Sequence, residues 1–180
     1  RIGLVSRRDS DNGGDFPISS LVYDSRSAQP GSLYFALRGL HTDGHRYIAS
    51  AIENGARTVV YEEEMQSLDP RVTWIQVKDS RQAMSPLAAA FHDWPSRDLA
   101  VIGVTGTEGK STTVYLIWQL LELCGKKAGF FSTVSYCIDG KEEWNPEHQT
   151  TPEATTVQAH LAAMRDAGFE FAVVEASSHG

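Results

Sequence analysis

The feature that most constrains this chain is a glycine-rich segment, Gly103–Thr113, placed between an apolar run and an amphipathic stretch. The apolar run, Leu99–Val104, is typical of a strand buried on both faces of a parallel sheet. Ser111–Cys124 has the pattern of a helix, closed by Gly125. Glycines let the backbone turn so that successive N–H groups face an anion, and the following helix adds the positive end of its dipole. The segment therefore predicts a phosphate-binding loop between a strand and a helix.

The side chains of this segment carry the chemistry expected of a nucleotide site. Lys110 would neutralise the charge of the β- and γ-phosphates, and the hydroxyl of Ser111 or Thr112 would hold Mg²⁺. The spacing departs from the strict G-x-x-x-x-G-K-[ST] pattern, because the residue five before Gly109 is Val104. A glycine-rich turn with a surface lysine is the alternative interpretation. The candidate ATP-binding residues are Gly106, Thr107, Glu108, Gly109, Lys110, Ser111 and Thr112.

A second candidate element of the same site is Glu175, which follows the apolar run Phe171–Val174. In an open α/β sheet, ligands gather outside the carboxyl ends of the strands. If the two strands run parallel, Glu175 and the loop meet at that edge, and the carboxylate could reach a Mg²⁺ held by the nucleotide. Ser177, Ser178 and His179 follow directly and suit a polar cleft that accepts phosphate groups. A solvated loop residue is the alternative interpretation of Glu175.

The first half of the chain alternates short strand patterns with helix patterns. One helix is predicted over His45–Asn54 and another from Ser80 onward. Trp94–Arg97 interrupts the second helix, since the proline there does not continue it. The domain boundary is therefore expected at residues 95–98, which gives domains of residues 1–95 and 96–180. The predicted strands are Ile18–Tyr23, Ser32–Leu37, Thr58–Tyr61 and Val72–Val77.

The second half continues with a predicted strand at Lys127–Phe131 and a hairpin over Tyr136–Trp144. Thr150–Glu153 has the S/T-x-x-E spacing of a capping box, with proline in the first turn of a helix that ends at Gly168. Both halves are thus predicted to be α/β. The second is expected to be the start of a mostly parallel-sheet domain that contains the phosphate loop.

The charge balance excludes several classes of partner. The 16 Lys and Arg residues against 23 Asp and Glu give a formal net charge of −7, which argues against binding to nucleic acid or an anionic membrane. Cys124 and Cys137 are too few for a disulfide framework and have no CxxC spacing. No apolar run reaches the ~18–20 residues that a membrane span needs. The sequence therefore predicts a cytoplasmic protein without membrane insertion.

With these residues in view, the chain resembles the Mur ligases, the ATP-dependent amide-bond enzymes of peptidoglycan precursor synthesis. Gly106–Thr113 is similar to the family's ATP loop. Thr150–Glu153 and Glu175–His179 resemble the branch that adds the third residue of the stem peptide. A further set of residues in the first half resembles the family's small uridine-nucleotide domain: Asp24–Arg26, Pro30–Leu37, Gly39, Asp43–His45 and Gly55–Ala56.

The resemblance implies a role for each matching residue. Lys110 and Ser111 match groups that bind ATP and Mg²⁺, Glu175 matches a Mg²⁺ ligand, and His179 matches a residue that helps to hold a second metal. The family usually has Asn where this chain has Glu108. The positions that match contacts to the uridine diphosphate end are Tyr23, Ser25, Leu40, His41 and Thr42, and those that match contacts to the muramoyl-peptide part are Thr150, Thr151 and Ser177.

The implied reaction joins UDP-N-acetylmuramoyl-L-alanyl-D-glutamate to an amino acid through an acyl phosphate made with ATP. Three alternatives stay open: a ligase that completes the pentapeptide, a folate polyglutamate ligase, and a module that binds a nucleotide without turnover. The Thr-Thr-Pro-Glu and Ser-Ser-His blocks argue against the first, and the uridine domain argues against the second.

The family's central domain continues well past the position of Gly180, through a modified lysine that helps to bind metal, and a third domain binds the incoming amino acid. The resemblance therefore leaves the third amino acid open among lysine, diaminopimelate and ornithine. By the same comparison, the 180-residue piece is expected to be inactive alone.

Overall fold

The computed structural model describes residues 2–11, 16–39, 42–65, 67–146 and 152–176. The chain divides into two compact units, residues 1–91 and 92–180. The division falls at the end of a helix, a few residues before the expected boundary at 95–98. Among the described residues, no helix is long and apolar enough to cross a membrane.

The first unit contains a five-stranded sheet in the order β1-β5-β4-β3-β2. β1 runs antiparallel to β5, and the other pairs are parallel. Helices α1 (Ile48–Glu53) and α2 (Ser80–Phe91) accompany it, with short 3₁₀ turns at Ser25–Ser27 and Gly44–Tyr47. The strands are β1 (Leu4–Arg8), β2 (Leu21–Val22), β3 (Leu33–Phe35), β4 (Thr58–Tyr61) and β5 (Thr73–Val77).

The core of this unit forms where the apolar side chains of the central strands meet α1. Tyr34 of β3, Val59 of β4 and Trp74 of β5 are buried against Ile48 and Ala51. β3 and β4 are buried along their whole length, as continuous apolar runs in parallel strands require. The carboxyl ends of β2–β5 therefore lie along one edge of the sheet, where the candidate uridine residues follow β2 and β3.

The second unit contains a five-stranded sheet in the order β6-β10-β7-β8-β9. β6, β10 and β7 are parallel, and the β8–β9 hairpin is added antiparallel to β7. Helices α3 (Lys110–Leu123) and α4 (Ala154–Asp166) follow β6 and precede β10, and a 3₁₀ turn spans Pro95–Arg97. The strands are β6 (Ala100–Val104), β7 (Ala128–Phe131), β8 (Ser135–Cys137), β9 (Glu142–Trp144) and β10 (Phe171–Glu175).

Two details of this unit differ from the prediction. β6 was expected to be buried on both faces, but it lies at the edge of the described sheet and Val101 is 42% exposed. The predicted capping box is wrong within the described residues, because α4 begins at Ala154 and its N-cap residue, Glu153, makes no side-chain capping hydrogen bond. Pro152 therefore precedes the helix instead of lying in its first turn.

Several leucines of α3 are also exposed. Leu116, Leu120 and Leu123 are each more than half exposed, and their spacing places them on one stripe of the helix. The opposite side of α3 packs on the sheet through Val114, which is buried with Phe130 and Val173. α3 therefore has two apolar faces, one packed on the sheet and one exposed.

Candidate functional site

The loop between β6 and α3 has a backbone conformation that favours glycine at two positions. Gly106 has φ +151° and Gly109 has φ +74°, a region that L-residues rarely adopt. A Cβ atom at Gly109 would meet nothing within 4 Å, so the dihedral angle and not the available space selects glycine there. The loop in this way turns sharply from the end of β6 into the first residue of α3.

The start of α3 presents a cation and backbone N–H groups that have no acceptor within the helix. The first intrahelical bond runs from the Thr113 N–H to the Gly109 carbonyl, at 2.9 Å. The N–H groups of Lys110, Ser111 and Thr112 precede that bond and have no partner within the helix. The Lys110 ammonium donates to the Thr107 carbonyl at 3.3 Å, which keeps it beside the loop. A positive charge and backbone amides at the positive end of a helix dipole form an arrangement that suits a polyphosphate.

Glu175 lies beside this loop because β10 and β6 are hydrogen-bonded neighbours. Glu175 pairs with Val104 in the parallel ladder, and the Ala176 N–H donates to the Val104 carbonyl at 2.9 Å. The Glu175 side chain is only 2% exposed. Its Oε2 accepts two hydrogen bonds, from the Ser111 hydroxyl at 2.9 Å and from the Thr133 N–H at 2.8 Å. The two groups predicted to approach Mg²⁺, Ser111 at the start of α3 and Glu175 at the end of β10, are thus in direct contact.

The donor set of this contact fits a magnesium ion bound with a nucleotide. Mg²⁺ prefers hard oxygen ligands and usually takes one or two from protein, the others coming from phosphates and water. The Ser111 hydroxyl and the buried Glu175 carboxylate provide such oxygens next to the phosphate loop. Within the described ranges, no three His, Cys, Asp or Glu side chains cluster into a cation cage. A Mg²⁺ ion at such a contact would take its remaining ligands from phosphates and water.

Other loop residues contribute less to the site in this structure. Thr107, Glu108 and Thr112 are exposed. Of the two hydroxyls predicted to hold Mg²⁺, those of Ser111 and Thr112, the Ser111 hydroxyl contacts the Glu175 carboxylate. The Thr113 hydroxyl donates to the Gly109 carbonyl at 2.8 Å and so belongs to the helix start. The expected proximity of loop and carboxylate is present, while the binding roles stay predictions.

The candidate uridine residues of the first unit gather at the carboxyl edge of its sheet. Tyr23 follows β2 and is 44% exposed, whereas Ser25 is buried and begins the 3₁₀ turn. The Ser25 carbonyl accepts the Asn54 side-chain amide at 2.9 Å. Thr42 follows β3, and its carbonyl accepts the Gly39 N–H at 2.9 Å. Because β2 and β3 are parallel, these residues share one edge.

Several predicted site residues fall outside the part of the chain that the structure describes. In the uridine loop these are Leu40 and His41, and at the predicted muramoyl-peptide contacts Thr150, Thr151 and Ser177. Ser178 and the predicted metal residue His179 also lie outside it. Their roles stay predictions.

The sequence did not predict the contacts that two residues, His45 and Thr133, make near these candidate sites. The ring of His45 contacts Asp43 Oδ1 through Nδ1 at 2.7 Å, and its Nε2 accepts the Glu62 N–H at 3.0 Å. In the sequence, His45 stands out only as the start of the predicted helix His45–Asn54 and as part of the Asp43–His45 block. The Thr133 amide had no sequence signal, because every residue except proline carries a backbone N–H.

Comparison with known proteins gives matches in both units. Residues 17–92 match the protein family described as Mur ligase family, catalytic domain. Residues 104–180 match the family described as Mur ligase middle domain.

Curated relatives extend over nearly the whole chain. The UDP-N-acetylmuramyl-tripeptide synthetase of Treponema denticola is 55% identical over an alignment of 175 positions, which covers 91% of this chain and 33% of the relative. The protein of the same name from Roseiflexus sp. is 47% identical over 163 residues, with 90% and 32% covered. The UDP-N-acetylmuramoyl-L-alanyl-D-glutamate–2,6-diaminopimelate ligase of Phocaeicola vulgatus is 43% identical over 162 residues, with 90% and 33% covered. The chain spans about a third of the length of these relatives.

Solved structures have the same fold. A UDP-N-acetylmuramoyl-L-alanyl-D-glutamate–2,6-diaminopimelate ligase superimposes with a TM-score of 0.73 at 26% identity, covering 91% of this chain and 33% of that one. The MurF ligase of Thermotoga maritima, solved in complex with ADP, gives a TM-score of 0.59 at 23% identity, with 92% and 33% covered. At 23% identity, the second structure supports only the assignment of the fold.

Proposed function

Because this chain belongs to the Mur ligase family, we propose that the protein carrying it is an ATP-dependent ligase of peptidoglycan precursor synthesis. Its proposed reaction adds the third amino acid of the stem peptide to UDP-N-acetylmuramoyl-L-alanyl-D-glutamate. Relatives named as tripeptide synthetases, 55% and 47% identical, support this choice of substrate. The observation that supports the proposed use of ATP is the contact between Ser111 of the phosphate loop and the buried carboxylate of Glu175.

In the proposed reaction, the substrate carboxylate attacks the γ-phosphorus of ATP and gives an acyl phosphate and ADP. The amine of the amino acid then attacks the acyl carbon, and inorganic phosphate leaves as the amide bond forms. The protein is required to hold the reactants in line and to neutralise developing charge. No side-chain nucleophile is needed for either step.

The residues of this chain serve the first of these steps. The amides at the start of α3 and the Lys110 ammonium would hold phosphate oxygens, and Ser111 and Glu175 would hold Mg²⁺. Mg²⁺ supplies charge neutralisation at the phosphate oxygens when it is bound. Burial of Glu175 limits access of water to its carboxylate, which strengthens its attraction to a cation. Tyr23, Ser25 and the loop that ends at Thr42 are proposed to hold the uridine diphosphate end.

A phosphate-release assay of the full-length protein tests the proposal. The protein is given ATP, Mg²⁺, UDP-N-acetylmuramoyl-L-alanyl-D-glutamate and, in turn, lysine, diaminopimelate or ornithine. We expect release with at least one of the three amines and a product whose mass equals the joined substrates less water. ATP and UDP-linked precursors are cytoplasmic metabolites, so the cytoplasm is the proposed location.

The alternatives predict other outcomes of the same assay. A pentapeptide-forming ligase would instead use the UDP-linked tripeptide together with D-alanyl-D-alanine. A non-catalytic nucleotide module would bind ATP but release no phosphate with any of these substrates. Either outcome would contradict the proposed reaction.

A further inference from the structure

The turn between β7 and β8, residues 132–134, holds the buried carboxylate of the candidate metal site. The Thr133 N–H donates to Glu175 Oε2 at 2.8 Å, the same oxygen that accepts the Ser111 hydroxyl. Among the described residues, the hydrogen bonds to this carboxylate all reach Oε2 and none reaches Oε1. Two donors on one oxygen fix the orientation of the carboxylate.

The hydroxyl of Ser132 builds this turn. It donates to the Ser135 carbonyl at 2.9 Å and accepts the N–H groups of Ser135 and Val134 at 3.2 and 3.3 Å. Ser132 is 5% exposed, so water is poorly placed to replace these bonds. Asn145 braces the same turn, because its side-chain amide donates to the Ser132 carbonyl at 3.0 Å.

We propose that Ser132 is a positioning residue for the divalent cation, acting through the turn that aims the Thr133 amide at Glu175. This inference rests on the proposed function, in which Mg²⁺ binds between the nucleotide and Glu175. Ser132 itself would touch neither the metal nor the substrate. Without its hydroxyl, the amides of Val134 and Ser135 lose their acceptor, and the turn that carries the Thr133 amide relaxes.

Partners that orient a metal ligand from outside the first coordination layer typically change metal affinity by about 10–100-fold when they are removed. A purely structural role predicts a different result, because a general loosening of the unit would weaken nucleotide binding with and without metal. The dependence on Mg²⁺ concentration separates these two cases. Removing the carboxylate orientation should leave metal-free binding to the loop amides and Lys110 nearly intact.

Calorimetric titration of ADP into the full-length protein, across a series of Mg²⁺ concentrations, tests the proposal. For Ser132→Ala we expect the Mg²⁺ midpoint, which is the Mg²⁺ concentration that gives half of the maximal gain in ADP affinity, to rise about tenfold. The ADP affinity without metal should stay within about twofold of that of the unaltered protein. Ser132→Thr keeps the hydroxyl and is expected to restore the Mg²⁺ midpoint to within about threefold.

The outcomes separate this proposal from the proposed function. If Mg²⁺ does not tighten ADP binding to the unaltered protein, the proposed function itself fails. If Mg²⁺ tightens ADP binding but Ser132→Ala leaves the Mg²⁺ midpoint unchanged, the positioning role is overturned. It is also overturned if Ser132→Ala weakens metal-free ADP binding as much as it weakens ADP binding with Mg²⁺. Should Ser132→Ala not fold, Asn145→Ala loosens the turn from its other side and is expected to raise the midpoint about threefold; no rise would contradict the proposal.

Discussion

Lys110 is the residue on which the proposed phosphate chemistry depends most directly. Lys110→Ala in the full-length enzyme is expected to lower turnover by at least ~10³-fold, because it removes a preorganised charge at the phosphates. Binding of the UDP-linked substrate should stay within a few-fold, since that end is assigned to the first unit. Steady-state kinetics and a binding titration measure the two effects.

The matched control for this change is Lys126→Ala. Lys126 is an exposed lysine of the same unit, and its ammonium pairs with Glu170 at 3.2 Å. Its loss should leave turnover unchanged. A Lys110→Ala enzyme that kept a tenth of the normal activity would mean that this lysine is a surface residue.

Glu108 places a negative charge in the loop that is proposed to receive a polyphosphate, and its side chain is exposed. Glu108→Asn should therefore tighten metal-free ADP binding, by roughly tenfold if two or three phosphate charges lie ~6–8 Å away in a water-like dielectric. The gain should shrink at high salt, where exposed charges are screened. Calorimetry at two salt concentrations measures both effects.

Glu170→Gln removes a carboxylate from the opposite end of β10 and provides the control. It should leave ADP affinity unchanged. Equal affinity of the Glu108→Asn and unaltered proteins would show that the carboxylate lies too far from the phosphates to matter.

The sequence predicts roles for Lys110 and Ser111 from the glycine-rich loop, and for Glu175 from the apolar run that it follows. It did not identify Thr133, whose contribution is a backbone amide with no signature in the residue type. The contacts of His45 were also missed, because a histidine near an aspartate in the sequence is equally consistent with an exposed pair. Roles that depend on a partner far along the chain become visible only when the strands are placed side by side.

At the scale of single elements, His45 ties the segment after β3 to the end of β4. Since Nε2 accepts the Glu62 N–H, the ring proton lies on Nδ1, which donates to Asp43. These contacts with the His45 amide and ring hold the pKa of the Asp43 carboxyl below its usual value. His45→Ala would leave the Glu62 amide unsatisfied, and we expect a loss of about 1–3 kcal/mol in unfolding free energy.

Urea denaturation of the His45→Ala protein measures this loss. Arg46→Ala changes the exposed neighbour in the same 3₁₀ turn and should cost far less. Equal midpoints for the two variants would contradict the bracing role of His45.

The elements themselves were largely predictable, but their environments were not. The helix of Lys110–Leu123 and the strand of Phe171–Glu175 follow from periodicity and length. The exposure of Val101 did not follow, because an apolar run has the same composition in a central strand and at the edge of a sheet. The start of α4 at Ala154 was missed because the S/T-x-x-E pattern records spacing and not the backbone angles that end a loop.

At the scale of the whole molecule, the first unit has its own sheet and buried core. A fragment of residues 1–95 is therefore expected to fold alone and to bind uridine diphosphate with saturation at millimolar ligand or below. Titration followed by NMR measures binding, and circular dichroism shows whether the fragment is folded. A folded fragment without saturable binding would contradict the assignment of the uridine end to this unit, and Ser25→Ala should weaken binding.

The pairing of β6 with β10 also sets the tolerance of this site to insertions and deletions. Ser111 and Glu175 are 64 positions apart in the chain, yet they meet because Val104 and Glu175 occupy the same rung of a parallel ladder. A slip of one rung would move Glu175 by ~3.3 Å and turn its carboxylate to the opposite face of the sheet. Loops between the two strands that do not contact Ser111 or Glu175 can therefore change in length over evolution, whereas a single residue gained or lost inside either strand would separate the two proposed protein ligands of the cation.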